Sequence, residues 1–184
     1  MDSIEKVREL EKREFGFMFE DRVSPTKLKM VRYKAFLTQA ELEWYIQKYQ
    51  PAHCFVSTAY YSTSFDHKGW TGADLFYDGD YEKGLRLPRA DAETIYEALL
   101  DDFALKEITL NFSGSKGFHV IAFDEVSRCL DGRARREIVD YMVGRYRVET
   151  IDAPASCDLR RLRRITGTIN SKSGKYCEVI KTSF

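Results

Sequence analysis

Two β-rich runs joined by a short glycine-containing turn constrain the fold of this chain more than any other feature. The runs KEITLNF (106–112) and GFHVIAF (117–123) carry β-branched and aromatic residues, and only the segment 113–116 separates them. A connection this short joins antiparallel neighbours, because parallel strands need a long crossover. The pattern therefore predicts a β-hairpin inside an antiparallel or mixed sheet.

Further strands and helices are interspersed along the rest of the chain. Thr38 and Glu41 have the spacing of a capping box at the start of a helix. Near the N-terminus, Ile4, Val7 and Leu10 recur at helical spacing and predict another helix. The predicted helices cover 2–14, 38–49, 91–105 and about 131–145, the predicted loop covers 81–90, and the further strands cover 53–61, 74–80 and 176–180.

The organisation of the chain indicates a single unit. No repeat, low-complexity tract or Ser/Pro-rich linker divides it, and 184 residues suffice to bury a sizeable core. We therefore expect one α+β domain over residues 1–184, with a mixed or antiparallel central sheet flanked by helices. No apolar run approaches the length of a membrane span, and the N-terminal residues are charged where a signal peptide is apolar. This predicts a cytoplasmic protein without membrane contact.

Charge and cysteine content exclude several simple functional assignments. Lys+Arg and Asp+Glu both number 29, so the net charge does not point to nucleic acid or any other charged partner. Binding of phosphate has to be argued from local clusters instead. The cysteines form no C-x-x-C pair and predict neither a zinc ribbon nor a dithiol redox motif. We interpret all four as reduced thiols, mostly in the core or without a specific role: Cys54, Cys129, Cys157 and Cys177.

Two aspartates end the strand predicted over 74–80. Side chains alternate along a strand, so Asp78 and Asp80 share one face while Leu75 and Tyr77 face the core. Their mutual repulsion is relieved by a cation, and two hard oxygen donors suit Mg²⁺ or Mn²⁺ at a site of phosphoryl or nucleotidyl transfer. The simpler interpretation is a solvated turn, because D-x-D pairs are common by chance.

The turn of the predicted hairpin carries the second candidate group. Gly114 and Gly117 allow a tight turn with exposed N–H groups, and Ser113, Lys116 and His119 add donors suited to a triphosphate. It is not a P-loop, since the G-x-x-x-x-G-K-[ST] pattern is absent and a strand follows. An ordinary hairpin turn that happens to carry a lysine and a histidine explains the same residues.

The third candidate group lies near the C-terminus. The segment IDAPASCDLRRLRRITGTINSKSGK (151–175) contains the densest basic cluster of the chain, preceded by Asp152 and Asp158. A charge run is usually a solvated face. This one lies in a loop-rich segment, which favours phosphate contact.

Taken in order, these segments resemble the small catalytic subunit of archaeal and eukaryotic DNA primases, in the primase-polymerase superfamily. The runs REFGF (13–17) and MVRYKAF (30–36) are similar to the N-terminal signature of that family. PAHCFVSTAYYS (51–62) and HKGWTGADLFYDGD (67–80) resemble the archaeal stretch that ends in the aspartate pair. FSGSKGFHV (112–120) resembles the S-G-x-x-G-x-H box, and 151–174 resembles the third block. The resemblance covers most of the chain.

The resemblance implies a primase-polymerase fold and a site for nucleotidyl transfer. Single-stranded DNA would be the template, NTP or dNTP the substrate, and a primase large subunit a possible partner. Glu14 and Arg32, in the N-terminal signature, would lie near the site. Two Mg²⁺ or Mn²⁺ ions would be held by three catalytic aspartates: Asp78, Asp80 and Asp152. The nucleotide would be held by Ser113, Ser115, Lys116, His119, Arg164 and Asn170.

The chain departs from the pattern of that family at four points. Ser115 stands where the box usually has a second basic residue, and Asn170 stands where the third block has a phosphate-binding histidine. Each substitution removes a charge or a strong donor, which predicts weaker nucleotide binding, although Asn170 can still donate a hydrogen bond. The zinc-binding module and the helical insertion before the third block have no counterpart in this sequence. We therefore expect a minimal catalytic core without zinc.

Two functions follow from these motifs. The first is an active metal-dependent enzyme that synthesises or extends primers on a DNA template. The second is a catalytically weak primase-like module that binds nucleic acid or a partner protein. The three retained aspartates favour the enzyme, because a carboxylate cluster without a metal is costly.

Overall fold

A computed structural model describes residues 4–21, 27–66 and 68–184 of the chain. Its architecture is α+β, as the sequence predicts, and every strand pairing in it is antiparallel. The hairpin predicted around 113–116 is confirmed. The strands are β1 Phe15–Glu20, β2 Leu28–Lys34, β3 His53–Ser57, β4 Ala59–Thr63, β5 Lys68–Ala73, β6 Leu75–Asp80, β7 Ile108–Phe112, β8 Gly117–Ala122, β9 Leu162–Arg164, β10 Ile169–Asn170, β11 Lys175–Tyr176 and β12 Glu178–Thr182.

Four α-helices accompany these strands in the described ranges. The capping box at the first helix is confirmed, because the Glu41 backbone N–H donates to Thr38 Oγ1 at 3.2 Å and the Leu37 N–H donates to Glu41 Oε2 at 2.8 Å. No helix in the described part of the chain has the length and apolar character to cross a bilayer. The helices are α1 Gln39–Tyr49, α2 Arg86–Asp101, α3 Gly132–Tyr146 and α4 Ala153–Cys157.

The strands form two four-stranded sheets and two ribbons rather than one central sheet. The first sheet has the order β2-β1-β3-β9, and the second has the order β12-β7-β8-β6. The ribbons are β4-β5 and β10-β11. Each four-stranded sheet packs one face against helices and turns its other face toward the other sheet.

Two hydrophobic cores result from this layering. In the first, Phe15 and Phe17 of β1 pack with Leu42 of α1. In the second, Leu75 and Tyr77 of β6 pack against α2 and α3, as the alternation along the strand predicts. The helices thus lie outside the two sheets, and the inner sheet faces are available for a site.

The predicted N-terminal helix over 2–14 is wrong for its described part. Residues 4–14 are extended or turn, apart from one short 3-10 turn at Leu10–Lys12, and residues 2–3 lie outside the described ranges. Tertiary contacts override the helical pattern here. Val7 and Leu10 are buried against the first sheet, and the Glu5 N–H donates to the Thr166 carbonyl at 3.0 Å.

Two other predicted boundaries are wrong. The strand predicted over 53–61 is two strands, because at Thr58 the chain leaves the first sheet for the β4-β5 ribbon. The helix predicted over 91–105 begins at Arg86, inside the predicted loop, and ends at Asp101. Pro88 lies in its first turn, where the missing N–H has no intrahelical partner in any case. Ala104 has a φ of 53°, which ends the helical run.

A buried ion pair connects the start of β6 to the strands around it. Arg13 Nη1 donates to Asp74 Oδ2 at 2.6 Å, and both side chains are fully buried. Tyr60 donates its hydroxyl to Asp74 Oδ1 at 2.6 Å, and Arg13 also donates to the Ser57 carbonyl at 2.8 Å. The position of β6, which carries the two candidate aspartates, therefore depends on this network.

Candidate active site

A cleft of about 280 Å³ opens between the inner faces of the two sheets. Its floor is apolar, from Met18, Phe55, Phe76 and Leu162, and its walls are charged. The structure brings to this one cleft all of the sequence candidates except Asp152: Asp78, Asp80, Ser113, Ser115, Lys116, His119, Arg164 and Asn170.

The aspartate pair lies on the last residues of β6, directly beside β8. In the antiparallel register Asp78 is opposite His119 and Asp80 is opposite Gly117. Asp78 Oδ1 lies 3.6 Å from His119 Nε2. Glycine is required at position 117, since a Cβ there would lie 2.0 Å from Asp80 Oδ1. The strand pairing alone thus joins the first two candidate groups in one site.

The environment of both carboxylates disfavours their charged form, so the pKa of each is raised. Burial raises the pKa of Asp78 and the charge of Asp152 adds to this, while Arg161 lowers it. Burial and the charge of Asp78 likewise raise the pKa of Asp80, against the lowering effect of Lys116. The nearby cations therefore do not fully compensate the pair.

Asp152 adjoins the pair through its backbone. Its N–H donates to the Asp78 carbonyl at 2.7 Å, and its Oδ1 accepts from the Ala155 N–H at 3.0 Å as the N-cap of α4. The residue is exposed and does not line the cleft. Its carboxylate is close enough to act on Asp78 electrostatically, but one of its oxygens is committed to the helix.

The donor set fits a divalent cation that is shared with a nucleotide. Among the described residues, no three His, Cys, Asp or Glu side chains converge closely enough to form a metal cluster by themselves. Mg²⁺ and Mn²⁺ take one or two carboxylates from a protein when phosphate oxygens and water complete the coordination. Asp78 and Asp80 supply two such carboxylates, and a cation there would offset the burial and the repulsion that raise their pKa values.

The turn between β7 and β8 faces the same cleft. The Ser113 N–H donates to the Gly117 carbonyl at 3.0 Å and closes the turn. Gly114 has a φ of 85°, and a Cβ there would lie 3.1 Å from Asn170 Cβ. Lys116 Nζ pairs with Glu82 and lies 3.6 Å from Asp80 Oδ2. The lysine assigned to the triphosphate is therefore engaged by carboxylates.

The wall of the cleft opposite the aspartates carries an arginine that pairs with no carboxylate in the described ranges. Arg164 Nη1 donates to His53 Nδ1 at 3.0 Å, its guanidinium lies 5.1 Å from the centre of the Phe55 ring, and no carboxylate pairs with it in the described ranges. Burial lowers the pKa of Arg164, and burial together with the charge of Arg164 lowers the pKa of His53 to about 4. An anion entering the cleft would meet this uncompensated charge.

Asn170 is fixed beside the turn. It is buried, and its Oδ1 accepts from the Lys172 N–H at 3.2 Å. Its carbonyl accepts from the Gly174 N–H at 2.8 Å, which closes the β10-β11 turn. The amide nitrogen of Asn170 is therefore the part of the side chain that remains available to a ligand.

Four charged or titratable residues of the cleft were missed by sequence reasoning as individual candidates: His53, Arg161, Arg163 and Lys172. Arg161 Nη2 donates to Asp78 Oδ2 at 3.1 Å, and His53 lines the wall beside Arg164. Arg161 belongs to the basic cluster already noted, but only the β3-β9 pairing shows which arginine reaches the aspartate. The expectation that Glu14 and Arg32 lie near the site finds no support, because they pair with each other at 2.8 Å and do not line the cleft.

Comparison with solved structures defines the class of fold. The chain is similar to the AEP domain of the primase-polymerase of cyanophage S-2L, with a TM-score of 0.56 and 13% identity, covering 95% of this chain and 83% of that one. At this identity the likeness shows the fold alone. The fold is of the primase-polymerase type.

Sequence relatives identify the family. The family model for the DNA primase small subunit matches residues 80–177. The chain is 35% identical over 149 residues to the DNA primase small subunit PriS of Methanospirillum hungatei, covering 73% of this chain and 38% of that one. It is 33% identical over 191 residues to PriS of Pyrobaculum calidifontis, covering 86% of this chain and 59% of that one.

This chain belongs to the DNA primase small subunit family. It spans 38% and 59% of the lengths of these two curated relatives.

Proposed function

We propose that this chain is a primase catalytic core, a nucleotidyltransferase that makes or extends primers on a DNA template. The observation that carries the proposal is one cleft in which two carboxylates with raised pKa values face a half-buried arginine that no carboxylate pairs with in the described ranges. Asp78 and Asp80 form the carboxylate side, and Arg164 forms the cationic side. A nucleoside triphosphate with a divalent cation complements both sides at once.

In the proposed reaction, a 3′-hydroxyl attacks the α-phosphate of the bound nucleotide. The new bond joins that oxygen to the α-phosphorus while the bond from the α-phosphorus to the α,β-bridging oxygen breaks. The β- and γ-phosphates leave as pyrophosphate, and the proton of the hydroxyl passes to water. Mg²⁺ or Mn²⁺ ions, when bound, neutralise phosphate charge and lower the pKa of the attacking hydroxyl. Asp78 and Asp80 would hold these ions, and Asp152 would complete the carboxylate set from the side of α4.

The rest of the cleft would bind and orient the nucleotide. Arg164 and Lys172 provide cations on the wall, and the Ser113 hydroxyl and the Ser115 side chain are available on the turn. Lys116 can reach phosphate only by exchanging its contacts with Glu82 and Asp80. His119 would contact the nucleotide beside Asp78 and Asp80, and the amide nitrogen of Asn170 would donate a hydrogen bond to the nucleotide.

The partners proposed are those of the family. Single-stranded DNA would be the template, NTP or dNTP the substrate, and residues 1–184 would act as one catalytic unit. A primase large subunit as partner rests on family membership alone.

Primer synthesis on single-stranded DNA with Mg²⁺ or Mn²⁺ tests the proposal directly. The assay compares the unmodified chain with Asp78→Asn and Asp80→Asn variants, which keep the shape of the side chains and remove the charge. We expect product from the unmodified chain and at least a hundredfold less from either variant, since each removes transition-state charge stabilisation of about 3 kcal/mol or more.

Asp101→Asn is the matched control, because Asp101 is an exposed residue at the end of α2, outside the cleft. It makes the same chemical change and should leave the rate unchanged. A rate for the unmodified chain no greater than that of Asp78→Asn would overturn the enzymatic proposal. Retained binding of single-stranded DNA in that case would favour the catalytically weak binding module instead.

A further inference from the structure

A buried carboxylate on α2 is bonded to the segment that leads into α4. Asp91 is 8% exposed, and its Oδ2 accepts three hydrogen bonds. The donors are the Glu149 N–H at 2.9 Å, the Thr150 N–H at 2.8 Å and the Thr150 hydroxyl at 2.9 Å. Burial of a carboxylate is costly unless hydrogen bonds compensate it. All three bonds come from the two residues that precede Ile151 and Asp152, so the carboxylate fixes this segment to the helix.

The same segment is bonded to the end of β6, which is an edge strand of the second sheet. Ile151 forms an isolated antiparallel bridge with Gly79. The Asp152 N–H donates to the Asp78 carbonyl at 2.7 Å, and Ser156 Oγ accepts from the Asp78 N–H at 3.3 Å. Both backbone groups of Asp78 are therefore bonded to the segment that continues from the Asp91 contacts into α4.

Thr150 connects the α2 carboxylate to the strand that carries the aspartate pair. It is 7% exposed and bonds to Asp91 through both its N–H and its hydroxyl. A Cβ on Gly79 would lie 3.4 Å from Thr150 Oγ1, which is van der Waals contact. Gly79 is the residue between Asp78 and Asp80, so the contact made by Asp91 reaches the backbone between the two cleft aspartates.

Asp152 depends on this support because little else fixes its position. The residue is exposed, and it is the N-cap of α4, a helix of five residues. A helix this short is not stable by itself. The buried bonds at Thr150 are therefore the ones that can hold the segment before α4 in place.

We propose that Asp91 is a positioning residue that holds Asp152 beside the end of β6. The Asp152 carboxylate thereby joins the aspartate pair of the cleft. Its Oδ1 is engaged by the Ala155 N–H at 3.0 Å, so Oδ2 is the oxygen that would face a cation bound beside Asp78. Asp91 itself contacts neither cation nor nucleotide. The role of the third carboxylate in catalysis rests on the proposed function, whereas the holding of the segment does not.

Amide hydrogen exchange on the nucleotide-free chain, followed by NMR, tests the holding. In Asp91→Ala the Asp152 N–H should exchange faster by roughly tenfold or more, because the segment before it loses three hydrogen bonds. The Asp152 N–H keeps its own acceptor in this variant, so the change reports movement of the segment. Asp91→Asn keeps an acceptor oxygen and should retain most of the protection. Asp101→Asn makes the same substitution at an exposed residue of α2 and should change nothing.

Leu99→Ala separates this local effect from a loss of global stability. Leu99 is fully buried on the same helix, two turns after Asp91, and its truncation should lower the Tm without a selective change at Asp152. The reference amide is that of Val120, which is buried on the inner strand β8. An Asp152 N–H that in Asp91→Ala gains no more in exchange rate than the Val120 N–H would overturn the inference.

Thr150→Val is the second variant if Asp91→Ala does not fold. It keeps the shape of the side chain and removes only the hydroxyl bond to Asp91. The Asp152 N–H should then exchange several-fold faster while the Val120 N–H is unchanged. An Asp152 N–H as slow as in the unmodified chain would contradict the holding role.

Steady-state primer extension measures what the position of Asp152 contributes to catalysis. Asp91→Ala should lower kcat by roughly tenfold and leave the KM for nucleotide unchanged, because support for a metal-binding carboxylate is lost while the cationic wall is untouched. Asp91→Ala/Asp152→Asn should be no slower than Asp152→Asn, since Asp91 acts through that carboxylate. Additive losses would overturn the inference. An inactive unmodified chain whose Asp152 N–H is protected through Asp91 would refute the proposed function and leave the holding role in place.

Discussion

Removal of Asp74 should destabilise this protein more than removal of any exposed acidic side chain. Asp74 is fully buried and shares its carboxylate between Arg13 at 2.6 Å and the Tyr60 hydroxyl at 2.6 Å. Asp74→Ala leaves the Arg13 guanidinium charged in a dry environment and deprives Tyr60 of its acceptor. Because Asp74 immediately precedes β6, the same change should also loosen the strand that carries the candidate metal ligands.

The expected magnitude follows from the geometry. Two unit charges at the observed 2.6 Å separation interact by about 6 kcal/mol at an effective dielectric constant of 20. Desolvation of both partners offsets much of this, and deletion of one partner of a buried pair typically costs about 3 to 5 kcal/mol. We expect about 4 kcal/mol for Asp74→Ala. For a chain of this size that corresponds to a decrease in Tm of roughly 8 to 16 °C.

Urea denaturation with matched variants measures the free energy of unfolding. Asp140→Asn is the control, because Asp140 pairs with Arg136 at 2.8 Å on the exposed surface of α3. It should change the free energy of unfolding by less than about 0.5 kcal/mol. An Arg13→Met/Asp74→Leu double variant should recover much of the loss, since no unpaired charge remains. A loss below about 1 kcal/mol for Asp74→Ala, or a double variant no more stable than Asp74→Ala, would refute the reasoning.

Three further results are expected. Gly117→Ala should lose primer synthesis and about 2 kcal/mol of stability, because the added Cβ would lie 2.0 Å from Asp80 Oδ1 and 2.2 Å from the Gly79 carbonyl oxygen of β6. The control Gly144→Ala has no atom within 4 Å of its added Cβ and should stabilise α3. Equal melting temperatures of the two variants would contradict this. Ser115→Arg should lower the KM for nucleotide several-fold by restoring a cation to the turn, and an unchanged KM would exclude phosphate contact there. The pKa of His119 is lowered to about 3 and that of His53 to about 4, so the unfolded chain binds more protons than the folded chain below pH 6.5. The free energy of unfolding should therefore fall by about 1 to 2 kcal/mol between pH 7 and 5.5, and His53→Asn should make this fall smaller. A free energy of unfolding that rises over this range would refute the prediction.

Local patterns in the sequence predict much of the fold and most of the cleft. The hairpin around 113–116 follows from strand propensity and glycine alone, whereas the register that sets Asp78 opposite His119 belongs to the long-range β6-β8 pairing. The capping box at Thr38 is equally local. Such features depend only on neighbouring residues, which is why they can be identified in a single sequence.

Features that depend on distant pairings could not be predicted. The segment 4–14 has a helical pattern, yet it is extended because Glu5 and Arg13 reach partners more than fifty residues away. The register of β9 against β3 decides the partners of the two arginines, since Arg164 lies beside His53 whereas Arg163 pairs with Glu5. Period-2 alternation gives the two faces but not which of them is inside, so a run of four arginines cannot be assigned from spacing.

The charges around the cleft bear on the weaker nucleotide binding predicted from Ser115 and Asn170. Lys116 is held by two carboxylates, so its net contribution to the binding of a phosphate is small until those contacts break. Arg164 has no such competitor among the described residues, and burial together with the charge of that arginine lowers the pKa of its neighbour His53 to about 4. The affinity for an anion should therefore depend on the first sheet more than on the hairpin turn. If so, Arg164→Gln should raise the KM for nucleotide by more than Lys116→Gln does, and the reverse order would place the triphosphate on the turn.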